Sequence, residues 1–399
     1  MSVSVRNMRR ASHRSVAFVV TAAAALGLLS LPASAAARLV PAAAGSSCRT
    51  GAITPSPSPG PYVGLFGVSA LSSQDVWSVG YYIKTDQSTW RTLIEHWNGK
   101  RWTVVRSPRP APSAILYDVT AVSPSDVWAV GLRANSSRLD QVPLIEHWNG
   151  TAWSLVASPR VPGVLGEMAV ASPDDIWASG FRQVAGGTRP ATTLVEHRNG
   201  TSWQLVPTPN PSKYGDILGG IAVAGPNDVW ATGQAGTSRY DTAPLAEHWD
   251  GHAWSVVRVP AEGFSSTLGA IASAGPDDVW SVGSYDEPSP TGTLIFTLAE
   301  RWNGHRWSIV ASPSPTGDDD LVGVAAVSAH DIWAVGSTGA NATFVLRWNG
   351  HAWTTLPALS RVGAVNGLFA VSAPTATDIW AAGGGYKTVI EHLCPSRSN

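Results

Sequence analysis

The chain has 399 residues, a formal net charge of −1, and only 14% charged residues. That balance carries no polybasic signature, which excludes nucleic acid and anionic membrane surfaces as expected partners. Nineteen tryptophans and abundant Gly and Pro, with three methionines, suit an all-β chain with many turns.

Residues 1–35 read as an export signal. Arg6, Arg9, Arg10 and Arg14 precede an apolar run from Val16 to Leu31, and "ASA" at Ala33 to Ala35 supplies small residues for cleavage. A cleaved signal is expected rather than a retained anchor, because the run is short, Ala-rich and followed at once by that site. The mature protein is therefore expected to be secreted, with no membrane insertion after cleavage. Residues 36–47 read as a linker.

From there the chain repeats itself. Asp-(Val/Ile)-Trp followed by two small residues and Gly occurs at Asp75, Asp126, Asp175, Asp228, Asp278, Asp331 and Asp378. The spacing is about fifty residues, a period that signals an array. A second anchor, "LIEHWNG" or a relative, begins at Leu93, Leu144, Leu194, Leu245, Leu298 and Phe344, and in a cut-off form at Val389. The third is a Trp beyond the turn: Trp102, Trp153, Trp203, Trp254, Trp307 and Trp353. Each unit reads as four short strands. A small-residue strand such as "YDVTAV" turns into "VWAVG"; a variable loop leads to "LIEHW", which turns at Asn-Gly, a strong hairpin signal. Four-stranded units at this period predict a seven-bladed β-propeller, in which tryptophans fill the space between sheets.

The order "DVWAVG", "LIEHWNG", "AWSLVASP" resembles the kelch repeat, which pairs a strand ending in Gly-Gly with a "vEvYD" strand, a turn, a Trp and a Pro-containing tail. It implies membership of the kelch and galactose-oxidase-like propellers across nearly the whole mature chain. Most copies keep a single Gly, and only Gly383 to Gly385 form a run. Some bacterial propeller lectins carry a similar W(N/D)GxxW hairpin.

Six copies have the third anchor and seven have the first, so the propeller (48–396, ahead of a tail at 397–399) is expected to close its last blade with an N-terminal strand at 48–56. Matching Thr54-Pro55 to Ser107-Pro108 places Cys48 at the position of Arg101, and Cys394 falls at the position of Asn98. These positions face one another across the turn, so a Cys48–Cys394 disulfide is expected in an oxidising compartment. Intact mass before and after reduction should differ by two protons; two free thiols in the exported protein would overturn the pairing.

The repeated Glu-His pairs, as at Glu146-His147, invite an acid–base reading. Adjacent strand residues point to opposite faces, and a pair present in five blades serves the blade. The repeated Asp is expected to cap its turn by accepting backbone N–H bonds. Function is expected on the rim that carries the long, unlike loops. Blades one to four place Arg91, Arg109, Arg133, Arg138, Arg160, Arg182, Arg189, Lys213 and Arg239 there, whereas blade five and its exit contribute Asp286, Glu287, Asp318, Asp319 and Asp320. The ligand-binding candidates are Trp90, Arg91, Arg133, Arg182, Tyr214, Tyr240 and Tyr285; Trp90 is the one Trp outside the anchors. "TGDDDL" offers hard oxygens for calcium at Asp318, Asp319 and Asp320, with solvated loop charge as the plainer reading. No nucleophile motif or metal-ligand spacing appears, and no cofactor or catalytic residue is assigned. Two functions remain: a monomeric, non-enzymatic binder of a glycan or an exported or cell-surface protein, and an extracellular glycosidase or lyase using the same rim.

Overall fold

The computed structural model describes residues 52–84, 89–108, 111–135, 140–183, 190–290, 292–339, 342–357 and 365–393. The expected signal segment, Cys48, Cys394, Arg109, Arg138 and Arg189 lie outside them. The described chain forms 28 strands. Strand β1 (Ala52–Ile53) comes first. Blade one is β2 (Tyr62–Ser72), β3 (Asp75–Ile83), β4 (Trp90–Trp97) and β5 (Trp102–Val104). Blade two is β6 (Ser113–Ser123), β7 (Asp126–Ala134), β8 (Val142–Trp148) and β9 (Trp153–Leu155). Blade three is β10 (Val164–Ser172), β11 (Asp175–Arg182), β12 (Thr192–Asn199) and β13 (Trp203–Val206). Blade four is β14 (Asp216–Gly225), β15 (Asp228–Gly236), β16 (Thr242–Trp249) and β17 (Trp254–Val257). Blade five is β18 (Ser265–Gly275), β19 (Asp278–Ser289), β20 (Gly292–Trp302) and β21 (Trp307–Ile309). Blade six is β22 (Asp320–Ser328), β23 (Asp331–Ser337), β24 (Thr343–Trp348) and β25 (Trp353–Leu356). Blade seven is β26 (Val365–Thr375), β27 (Asp378–Gly385) and β28 (Thr388–Leu393), completed by β1. Every blade is antiparallel, so the fold is a seven-bladed all-β propeller closed by an N-terminal strand.

The closing register differs from the expected one. Ala52 pairs with His392 and Ile53 with Glu391, as Thr103 pairs with His96 and Val104 with Glu95 in blade one. Ser56-Pro57 therefore matches Ser107-Pro108, not Thr54-Pro55. "TPSPSP" offers three such dipeptides, and contacts select one. Ser56 stands beside Glu95 as Ser107 stands beside Glu146, and it donates to Thr388 Oγ1 at 2.7 Å. The same latch joins Thr92 to Ser107 and Thr297 to Ser312.

The motif Gly is required at the inner sheet. A Cβ on Gly80 would run into the carbonyl oxygen of Gly64, and one on Gly131 into that of Ile115; the other five copies meet the same obstacle. At that level each innermost strand carries a β-bulge. The skipped residues are Phe66, Tyr117, Gly166, Gly219, Gly269, Val322 and Phe369. Phe66 packs its ring 5.5 Å from Tyr117, 5.5 Å from Tyr81 and 5.6 Å from Phe369, centroid to centroid. These rings join Val322, Ile115, Leu132 and Phe181 in one buried cluster. The bulge side chains of blades six, seven, one and two thus plug the axis, joined by Val164 and Phe181 of blade three, while the bulge residues of blades three to five are glycines.

Tryptophan triads join the blades. Trp77 of blade one meets Trp148 and Trp153 of blade two at 5.2 and 5.5 Å, and Trp230 of blade four meets Trp302 and Trp307 at 4.7 and 5.4 Å. In blade three Arg198 replaces the first hairpin Trp and lies 5.0 Å from the Trp128 ring. Blade seven has Leu393 there, in the cluster that holds Trp333.

Candidate ligand-binding rim

The repeated acid–base residues are consumed by the scaffold. His147 Nε2 lies 2.8 Å from Asp126 Oδ1, and its ring stacks on Trp128 at 4.1 Å. The same His–Asp bond and His–Trp stack recur in blades one, three, four and seven. In blades five and six Arg301 and Arg347 take over: each Nε donates to Asp278 or Asp331, at 2.6 and 2.7 Å, and each guanidinium lies over Trp280 or Trp333. Either side chain offers an N–H to the carboxylate and a flat cap to the indole, which is why His and Arg interchange. This corrects the expected role of the repeated Asp. Its carboxylate serves the His or Arg, while the turn's backbone N–H goes to the preceding Ser, as Gln74 N–H donates to Ser72 Oγ at 3.2 Å.

The paired glutamates are fully buried. Burial pushes Glu95, Glu146, Glu247 and Glu300 up to about 8 and Glu196 up to about 7. Ser107 Oγ and Ser158 Oγ, each arriving from the preceding blade, reach Glu146 and Glu196 at 2.9 and 3.0 Å and temper the rise. Two more carboxyls, unmarked by any repeat, sit deeper. Asp118 Oδ2 accepts Met168 N–H at 2.9 Å, and Glu167 Oε2 accepts Ile221 N–H at 3.0 Å. Burial holds both well above the usual carboxylate range, and the Asp118 charge raises Glu167 further. They fasten inner strands of neighbouring blades. No periodic signal marks them, because Gly or Ala stands there in the other copies.

The candidate residues spread around the opposite rim. Trp90 and Arg91 lie in β4, paired with Ile83 and Tyr82, and are half-buried; Trp90 packs against the axial cluster. Arg133 is half-buried in β7 opposite Val142, and Arg182 is exposed at the end of β11 opposite Thr192. Tyr285 belongs to β19 and stacks on Phe296 at 5.4 Å. In the acidic loop, Asp319 is buried and accepts Thr316 N–H at 2.8 Å, and Asp320 accepts Ser337 N–H at 3.1 Å. Among the described residues no three His, Cys, Asp or Glu side chains converge to hold a metal ion.

Two candidates lie on adjoining loops. Tyr214, before β14, and Tyr240, between β15 and β16, are 46% and 55% exposed. Gly236 N–H donates to Gly215 O at 2.8 Å, and Ser212 Oγ donates to Gly236 O, so the two loops are joined edge to edge. Beside the seam lies an open hollow of ≈ 460 Å³ lined by Pro211, Lys213, Tyr214, Ala235 and Thr237. Sequence reasoning missed two further exposed aromatics on this rim: Phe264, 48% exposed, and Tyr386, 56% exposed and 5.7 Å from Tyr62. Their loops are short, so length variation did not mark them.

No protein-family model matches the sequence, and no curated protein matches it. Solved structures match in shape. YCF48 bound to D1 peptide is 12% identical with a TM-score of 0.53, over 86% of this chain and 98% of that one. YCF48 from Cyanidioschyzon merolae is 15% identical with a TM-score of 0.52, over 88% of this chain and 100% of that one. An ulvan lyase, a polysaccharide lyase with a bound saccharide, is 11% identical with a TM-score of 0.52, over 81% and 90%. At these identities the likeness is one of fold: the chain is a β-propeller repeat protein built like the YCF48 propellers.

Proposed function

We propose that this chain is an exported, non-enzymatic, kelch-like propeller that binds a glycan or another exported protein through its variable-loop rim. One observation carries the reading. The repeated ionisable groups with acid–base potential are bound into the scaffold, whereas exposed aromatics gather on the rim of unlike loops. Loops held on a rigid frame are where recognition residues concentrate, and exposed tyrosines suit a surface that is covered by a ligand. Similar propellers serve both kinds of partner, as the peptide-bound YCF48 and the saccharide-bound lyase illustrate.

The test is a glycan array on the mature chain, paired with a turnover screen on polysaccharides. Saturable binding weakened by Trp90→Ala or Tyr240→Ala is the expected result. Turnover of any polysaccharide would replace this reading with the enzymatic one.

A further inference from the structure

The two tyrosines on the adjoining loops of blade four are presented by the same short sequence, Ser-(Lys/Arg)-Tyr: Ser212-Lys213-Tyr214 and Ser238-Arg239-Tyr240. The presentation is the same in structure too. Tyr214 N–H donates to Ser212 Oγ at 2.9 Å, and Tyr240 N–H donates to Ser238 Oγ at 3.1 Å. Each turn carries an acid that is spent internally. Asp216 Oδ2 accepts Ser212 N–H at 3.0 Å, and Asp241 Oδ2 accepts the Ser238 hydroxyl at 2.7 Å. The cations remain on the aromatic surface: Lys213 Nζ lies 5.0 Å from the Tyr214 ring centroid, and Arg239 Cζ lies 5.6 Å from that of Tyr240. The ion pairs among the described residues involve neither of them.

We infer that these twin turns form a binding site for an acidic polysaccharide, with each cation meeting a carboxylate or sulfate and each tyrosine meeting the C–H face of a sugar ring. The inference rests on the rim-binding reading and gives it a ligand class. A half-exposed Tyr offers an apolar face with a polar edge. The neighbouring cation supplies the charge that a neutral sugar would leave unanswered. Two like units on adjoining loops suit a polymer whose charge repeats along its length. The Ser-anchored turns and the Gly215–Gly236 seam hold the groups in place before binding, which lowers the ordering cost.

Affinity electrophoresis of the mature chain in native gels tests this. The probes are polygalacturonate, dextran sulfate, neutral dextran and polyglutamate. Retardation by polygalacturonate or dextran sulfate, but not by dextran, is expected, and the responding polymer identifies the acid group. Tyr214→Ala and Tyr240→Ala should each weaken retardation about tenfold, near 1.4 kcal/mol, whereas Tyr→Phe at either position should preserve it. Lys213→Gln and Arg239→Gln should weaken it and reduce its salt sensitivity. No retardation by either acidic polysaccharide, equal retardation by dextran, or polyglutamate binding with the same Tyr dependence would overturn the inference. Alanine variants that bind like the parent would also overturn it. If Trp90→Ala or Arg133→Gln then abolished binding, the rim reading would stand without this site; if no rim substitution mattered, both would fall.

Discussion

The propeller is expected to lose stability as pH rises from about 5 to about 9, with a fall in Tm on the order of 10 °C. The cause is the row of buried glutamates. Burial raises Glu95, Glu146, Glu247 and Glu300 to about 8 and Glu196 to about 7, against an ordinary value of 4.5. Between that ordinary value and the raised one, the folded chain holds protons that the unfolded chain has released. Stability therefore falls with pH through this window, is complete below it and levels off above about 8. A net loss of a few kcal/mol spread over the five groups corresponds to that fall, at about 2–4 °C per kcal/mol for a domain of a few hundred residues. Thermal unfolding across a buffered pH series measures the effect. Glu247→Gln should flatten the slope, because its amide cannot ionise. A Tm that is level or rises between pH 5 and pH 9 would sink the argument.

Phe66→Ala is expected to cost about 3–5 kcal/mol, the range for emptying a buried aromatic site. Phe66 touches Tyr81, Tyr117 and Phe369, so its ring is shared by blades seven, one and two at the axis. The glycines of blades three to five have no side chains with which to fill the void. Phe66→Leu should cost less, since it keeps part of the volume. Urea unfolding followed by tryptophan fluorescence gives both values. A loss below about 1 kcal/mol for Phe66→Ala would show that the axis collapses freely and that the plug does not hold the ring.

The blade count, the strand order and the need for a closing N-terminal strand were legible because a period of three anchors leaves a visible remainder when one is missing. The scaffold role of the Glu-His pair was legible for the same reason: a residue present in blade after blade serves the blade. Its partner was not, because the contact of His147 with Asp126 spans strands and Arg301 meets the same need with different chemistry. The register of β1 was ambiguous in a segment that repeats Ser-Pro, and Ser56 decided it through its neighbours on other strands. The axial plug was hidden because a β-bulge interrupts the alternation by which strand faces are read. Trp90, the one tryptophan outside the anchors, is half-buried against that plug.

By itself, the sequence determined a ring of seven four-stranded blades and the rim on which the chain is free to vary, since periodic burial and turn chemistry are local and repeat. Only the tertiary structure decided which rim loops adjoin. Tyr214 and Tyr240 lie in different loops, which Gly215 and Gly236 join at one end of blade four.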